Sequence, residues 1–371
     1  MKNIRLLYIY FIIMYFVFLL TTTSCYTIFA DEFGVVPPVT ELYAIYSIHT
    51  NEVLFTAEYV EVGDEYISKN NVWYEVISVD YSIYTAYAKF KMQLYLPPLT
   101  SGTITHTATQ QVIGLYHTHN AESFVPTDGT DSYYGAGGIH DVGKALSNAL
   151  PQNGIDVYYN ETLHLPHTSS AYTRSRVTAQ SLLNTLPNPS AIFDIHRDAL
   201  PKSSYSTTIN GTVASKIRIV VGKSNPNYAY NLEFALKIKA AADNLYSELI
   251  KDIYMGKNLY NQDLCSQALI FECGTYLIEK EAVINSMPLL ANVINETLFK
   301  NSVSGDILIS DDLTDNADIP PAGSDTDTTF TVDTDLDTIN NSNLTDNTKI
   351  IIITLFFIFI VYILIKGKKH K

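Results

Sequence analysis

Between residues 105 and 301 short apolar runs alternate with longer helical stretches, and this order restricts the chain to an α/β architecture. The runs "QVIGLY", "IDVYYN", "SAIFDIH", "KIRIVVG" and "SQALIFECG" have strand length and are rich in β-branched or aromatic residues. Between them stand "GGIHDVGKALSNALPQNG", a helix closing at Gly154, then "AYTRSRVTAQSLLNTL" and "NYAYNLEFALKIKAAADNLYSELI". A last helix falls within "IEKEAVINSMPLLANVINETLF". The expected fold is a mostly parallel twisted sheet with helices on both faces. The sequence contains no internal repeat, no G-x-G-x-x-G loop and no Walker loop.

The flanks read differently. Residues 31–104 hold alternating strand-like runs such as "ELYAIYSIHT" and "WYEVISVDYSIYTAYAKFKMQLYL", separated by turn signals, which suggest a small β-rich module of about five strands. Residues 1–30 carry Lys2 and Arg5 before a long uncharged run, the layout of a signal peptide or N-terminal membrane anchor. Residues 302–348 are dominated by Asp, Thr, Ser and Asn and read as a disordered acidic stalk, because they cannot bury enough apolar area to offset their ordering entropy. Residues 349–371 combine an apolar run of about 16 residues, near the short limit for a span, with the basic end "KGKKHK". A C-terminal transmembrane helix with a cytoplasmic tail is expected, which places the folded part outside the cell membrane.

The formal net charge of −14 sets the chain against phosphate backbones, and no Lys/Arg stripe with interleaved aromatics occurs, so nucleic acid is not an expected partner. Three cysteines, without C-x-x-C spacing, make neither a disulfide framework nor a cysteine metal site. Cys265 and Cys273 are expected as free thiols beside a strand.

In open α/β sheets the binding crevice lies beyond the carboxyl ends of the strands. "QVIGLY" runs into His117, His119 and Glu122; "SAIFDI" into His196, Arg197 and Asp198; "SQALIF" into Glu272. Three strands thus deliver imidazoles and carboxylates to one sheet edge. A catalytic zinc site takes three such ligands and keeps one position open. Successive side chains on an extended chain point opposite ways, so His117 should face away from His119.

The segments "YHTHNAES" (116–123), "AYTRSR" (171–176), "FDIHRDA" (193–199) and "FECGT" (271–275) together resemble the stage II sporulation protein P family, zinc-dependent N-acetylmuramoyl-L-alanine amidases that cut peptidoglycan. The resemblance covers about half the chain. It implies one Zn2+, with His119 and His196 as metal ligands and Glu272 as the catalytic glutamate. The amidases take their third ligand from a glutamate near the start of the following helix. Here "GGIHDVGKAL" has none, so Glu122 is the candidate, with His140 and His117 as alternatives. Arg174 and Arg176, and also Arg197, are candidates for binding stem-peptide carboxylates. The family further implies cleavage between muramyl lactate and L-alanine, and partners in sporulation engulfment that include a lytic transglycosylase.

Two other classes stay open on the sequence. A metal-free glycan hydrolase would use Glu122 and Glu272 as paired carboxylates roughly 5–9.5 Å apart. An inactive surface scaffold would bind through its tyrosine-rich β segment, tyrosine numbering 27 in the chain.

Overall fold

The computed structural model describes residues 42–50, 52–98, 112–186, 189–300 and 308–310. The segments 1–30 and 349–371, and all of 302–348 except 308–310, lie outside the described residues, as does Cys25. No helix among the described residues is long and apolar enough to cross a membrane.

The first part is all strand: β1 (Tyr43–Ser47), β2 (Val53–Thr56), β3 (Glu65–Ile67), β4 (Val72–Asp80) and β5 (Thr85–Tyr95). The alternating part follows with β6 (Val112–Tyr116), the short α1 (Val125–Asp128), α2 (Ile139–Ala149), β7 (Asp156–Tyr159), α3 (Ala171–Thr185) and β8 (Ala191–Asp198). A hairpin of β9 (Ser206–Ile209) and β10 (Thr212–Ser215) leads to β11 (Ile217–Gly222), α4 (Tyr228–Leu245), β12 (Ile250–Gly256) and β13 (Ala268–Thr275). The helices α5 (Lys280–Ile284) and α6 (Met287–Asn295) come next, and β14 (Leu308–Ser310) returns to pair with β5.

The sheet runs β2-β1-β5-β4-β3-β12-β11-β13-β8-β6-β7. From β12 to β7 the pairs are parallel except β11 with β13. From β5 to β12 every pair is antiparallel. The sheet is therefore mixed, where a mostly parallel one was expected. The five strands of residues 43–95 are present, but they do not stand apart: β3 pairs antiparallel with β12 and fuses both halves into one sheet. Without that pairing β3 and β12 would each leave a row of unpaired backbone groups, a liability that sheets avoid.

The strand β12 was missing from the sequence reading because Lys251 and Asp252 interrupt "IKDIYMG". Their charges are answered inside the fold. Arg218 on β11, almost fully buried, holds Asp252 through Nε and Nη2 at 2.6 and 3.0 Å. Its Nη1 donates to Thr56 Oγ1 at 3.0 Å and its Nη2 to the Phe55 carbonyl at 2.8 Å, both on β2. A side chain of β11 thus reaches β2, which stands at the far edge of the same sheet, so the N-terminal strands curl back over the sheet face. One apolar cluster accordingly unites Tyr43, Ile45 and Tyr74 with Val220, Tyr254 and Ile270.

The opposite face carries the main core, in which Ile113, Phe193, Ile219 and Phe271 meet α2, α4 and α6. Arg218→Ala would strand Asp252 in the interior and cut the link to β2. We expect it to destabilise the chain by about 3–5 kcal/mol, the cost of breaking a buried ion pair by removing one partner, measured by denaturant unfolding.

Candidate metal centre

β6, β8 and β13 run parallel, so their carboxyl ends share one edge. Glu272 and His196 are register partners on β13 and β8, which sets their side chains next to each other on the same face. Beyond β6, the Thr118 amide donates to Asp194 Oδ1 at 2.7 Å and ties the 117–122 turn to β8. That turn brings His119 and Glu122 over His196.

The four residues are buried. His119 Nδ1 lies 3.3 Å and His196 Nδ1 3.6 Å from the same Glu122 oxygen, Oε1. The other oxygen, Oε2, accepts the Arg197 backbone N–H at 2.9 Å. The His119 and His196 rings meet edge to face at 4.9 Å. His196 Nε2 lies 2.9 Å from Asp194 Oδ1, within ion-pairing distance but off the line that a hydrogen bond needs.

Burial works most strongly against the charge of Glu122, yet His196, His119 and Arg197 together hold its carboxyl well below the usual range. Burial likewise opposes a charge on His196, but Asp194 and Glu122 outweigh it and keep that imidazole protonated well above its ordinary value. His119 moves the other way. Burial lowers its pKa, leaving a neutral ring with one nitrogen lone pair to offer. Burial foremost, with Asp198, Glu122 and Glu58 adding to it against His196, pushes the Glu272 carboxyl up.

Two buried polar atoms here have no partner: His119 Nε2 and Glu272 Oε2. Such orphans are costly, and a metal ion or a substrate is what satisfies them. The neutral His119 imidazole and the ionised Glu122 carboxylate, with His196 beside them once it gives up its proton, form a donor set suited to a divalent metal, zinc above all.

The sequence had missed His167. Its ring stacks on His119 at 4.0 Å, and the ligand atoms of His119, Glu122 and His167 lie within 4.8 Å of one another. It stands in the loop after β7, a fourth strand end at the same edge. The rule that found the other three strand ends applied there too, but "HLPHTSS" reads as a plain polar loop. Asp194, which backs His196 from inside β8, and Tyr172, which packs 5.4 Å from His119, were missed as well. So was Glu58: it accepts a hydrogen bond from Tyr260 at 3.0 Å, and Tyr260 packs on Tyr172 at 5.5 Å.

Four expected contributors sit elsewhere. His117 faces away from His119, as alternation requires, with Nδ1 on the Ile195 carbonyl and Nε2 on the Tyr159 hydroxyl, both at 2.7 Å. The His140 ring packs at a tilt on His117, 4.7 Å between centres, and lies 3.8 Å from Glu161, so the two alternative ligands form a separate structural cluster behind the turn. Arg176 is locked in a bidentate pair with Asp263 at 2.6 and 2.8 Å. Arg174 is spent on the loop that carries His167, through the His164 carbonyl and Ser170 Oγ, both at 2.8 Å, and the Pro166 carbonyl. Neither arginine is free to grip a substrate carboxylate, because their spacing on α3 turns each toward a different loop. The side chain of Arg197 donates to the Asp131 carbonyl at 2.9 Å and braces the following loop. Cys265 and Cys273 are free thiols.

Fold and site together define an α/β protein with a buried histidine–glutamate cluster able to hold a metal ion. Residues 46–295 match the family model of stage II sporulation protein P, and the chain belongs to that family. It is 29% identical over 221 residues to stage II sporulation protein P of Bacillus subtilis (strain 168), a match that spans 54% of this chain and 55% of the relative. The chain therefore aligns with about half the length of that relative. Among solved structures, the CwlD amidase of Clostridioides difficile in complex with the GerS lipoprotein is similar over 51% of this chain and 96% of its own, at 13% identity and a TM-score of 0.36. The catalytic domain of the CwlV amidase from Bacillus (Paenibacillus) polymyxa var. colistinus shows 13% identity, the same two coverages and a TM-score of 0.34.

Proposed function

We propose that the chain is a zinc-dependent N-acetylmuramoyl-L-alanine amidase that hydrolyses peptidoglycan during sporulation, with His119, Glu122 and His196 as metal ligands and Glu272 as the catalytic base. The observation that carries this reading is the approach of two imidazoles to one Glu122 oxygen, next to a buried glutamate whose own oxygen is unpartnered. Zinc, when bound, supplies Lewis acidity that polarises an amide carbonyl and acidifies water.

The remaining work falls to the chain. Glu272, made more basic than an ordinary carboxylate by burial, takes the proton of the attacking water at Oε2 and returns it to the departing L-alanine nitrogen. Asp194 orients His196, and the Arg197 amide fixes Glu122. Peptidoglycan lies outside the membrane, so the reading also requires an extracellular site, tethered by the apolar terminal segment, with engulfment proteins such as a lytic transglycosylase as partners.

Digestion of purified peptidoglycan by the full chain tests this reading. Stem peptides should appear, cease on chelation and return with added zinc. Hydrolysis indifferent to chelation, releasing glycan fragments, would instead support a glycan hydrolase built on Glu122 and Glu272.

A further inference from the structure

Resting on the zinc reading above, we propose that His167 is an exchangeable fourth ligand, which closes the metal site in the resting chain and withdraws for turnover. His119 and Glu122 are shared between two histidines. His196 approaches Glu122 from β8, while His167 stacks on His119 from the loop after β7 and forms a compact trio with the same two residues. Zinc with four protein donors is closed, the state of structural sites, whereas catalysis needs three donors and an open position. One donor has to leave.

The supports behind each donor identify which. Glu122 is held by the Arg197 amide, and His196 is flanked by Asp194, which is itself fixed by Thr118. His119 follows β6 directly and is nine-tenths buried. His167 has no strand behind it and is only half-buried.

The base of its loop is anchored at His164, whose amide donates to Asn120 at 2.6 Å and whose Nε2 meets Thr178 at 2.8 Å. The stretch from Leu165 to Ser170 is fastened chiefly by the Arg174 guanidinium, which spans the His164 and Pro166 carbonyls and Ser170. Arg174 is accordingly a positioning residue: it holds the loop with His167 over the site, and its release opens the site.

The test compares the full chain with its His167→Ala and Arg174→Ala variants. Zinc affinity is read by competition with a chromogenic chelator, ligand number by the visible spectrum of the Co2+ form, and turnover on peptidoglycan. His167→Ala should lose at least about tenfold in zinc affinity, since even a residue behind a ligand is worth that much. It should change the Co2+ spectrum and raise kcat at saturating zinc, in proportion to the fraction of chains that His167 keeps closed. Arg174→Ala leaves all donors in place and should move each reading the same way by a smaller factor, which decides the matter should His167→Ala misfold.

Unchanged zinc affinity and spectrum in both variants overturn the proposal, and a raised KM with unchanged affinity would make His167 a substrate contact. Loss of turnover together with affinity would make it a permanent ligand and overturn the exchange. These results leave the amidase reading standing, whereas a wild-type chain that takes up no zinc overturns both.

Discussion

Replacing Glu272 by glutamine is expected to lower peptidoglycan hydrolysis by about 10²–10⁴-fold, the span a positioned acid–base group contributes, with zinc affinity unchanged. Glutamine keeps the volume and shape of the side chain but cannot accept the proton. Because Glu272 Oε2 makes no hydrogen bond, the amide breaks none at that oxygen. Loss of zinc in this variant would reassign Glu272 as a ligand.

The pH dependence supplies a second check. The base form of Glu272 fills only above its raised pKa, so the acid limb of the rate profile should lie above the ordinary carboxylate value of about 4.3 and vanish in the variant. Stability of the metal-free chain follows the same linkage. Between about 4.3 and the raised value, the folded chain holds a proton that the unfolded chain has released, so Glu272 makes stability fall as pH rises. The glutamine variant should lack that slope and unfold at a higher temperature near neutral pH.

The sequence made the strand ends legible and left their partners hidden. "QVIGLY", "SAIFDIH" and "SQALIFECG" became β6, β8 and β13, and the polar residues at their ends meet because parallel strands share an edge. Helix α2 ends at Ala149, earlier than the expected close at Gly154, and a 3-10 turn over Pro151–Asn153 carries the chain on to Gly154 (φ 78°), where a left-handed turn suits glycine. Hidden were the features fixed by pairings between distant segments. The joining of β3 to β12 depends on two strands about 190 residues apart, and no local pattern records it. The charges in β12 looked hostile to a buried strand because Arg218, which neutralises Asp252, lies 34 residues away.

The same holds at the site. His167 is a loop histidine until β7 is known to lie beside β6, and Glu58 belongs to a segment that read as a separate module. Arg174 and Arg176 were conspicuous as cations in an acidic chain, yet their partners are protein oxygens. Rarity in composition marked them out, but it did not say which loop each one holds.

The second buried glutamate should respond in the opposite way to Glu272. Glu122→Gln is expected to lower zinc affinity by more than the roughly 10–100-fold that follows loss of a residue behind a ligand. Activity should fall with zinc occupancy and recover in part when zinc is raised, a rescue that Glu272→Gln cannot show. The reason is the number of tasks one carboxylate performs: its Oε1 faces both His119 and His196, and its Oε2 accepts the Arg197 amide. An amide of the same shape must turn its NH2 either toward the protonated His196 or toward the backbone N–H, and both orientations set donor against donor.

Proton competition separates this loss from simple misfolding. In the metal-free chain Asp194 and Glu122 overcome burial and keep His196 protonated, so zinc has to displace that proton. Zinc affinity of the wild-type chain should therefore drop about tenfold for each pH unit lowered below the raised His196 value. Glu122→Gln removes one of the two carboxylates that hold the proton, so that window should begin at a lower pH while the affinity is weaker throughout. A variant with unchanged zinc affinity and an unchanged pH window would show that Glu122 only braces the turn, and would leave His119, His196 and His167 as the metal ligands.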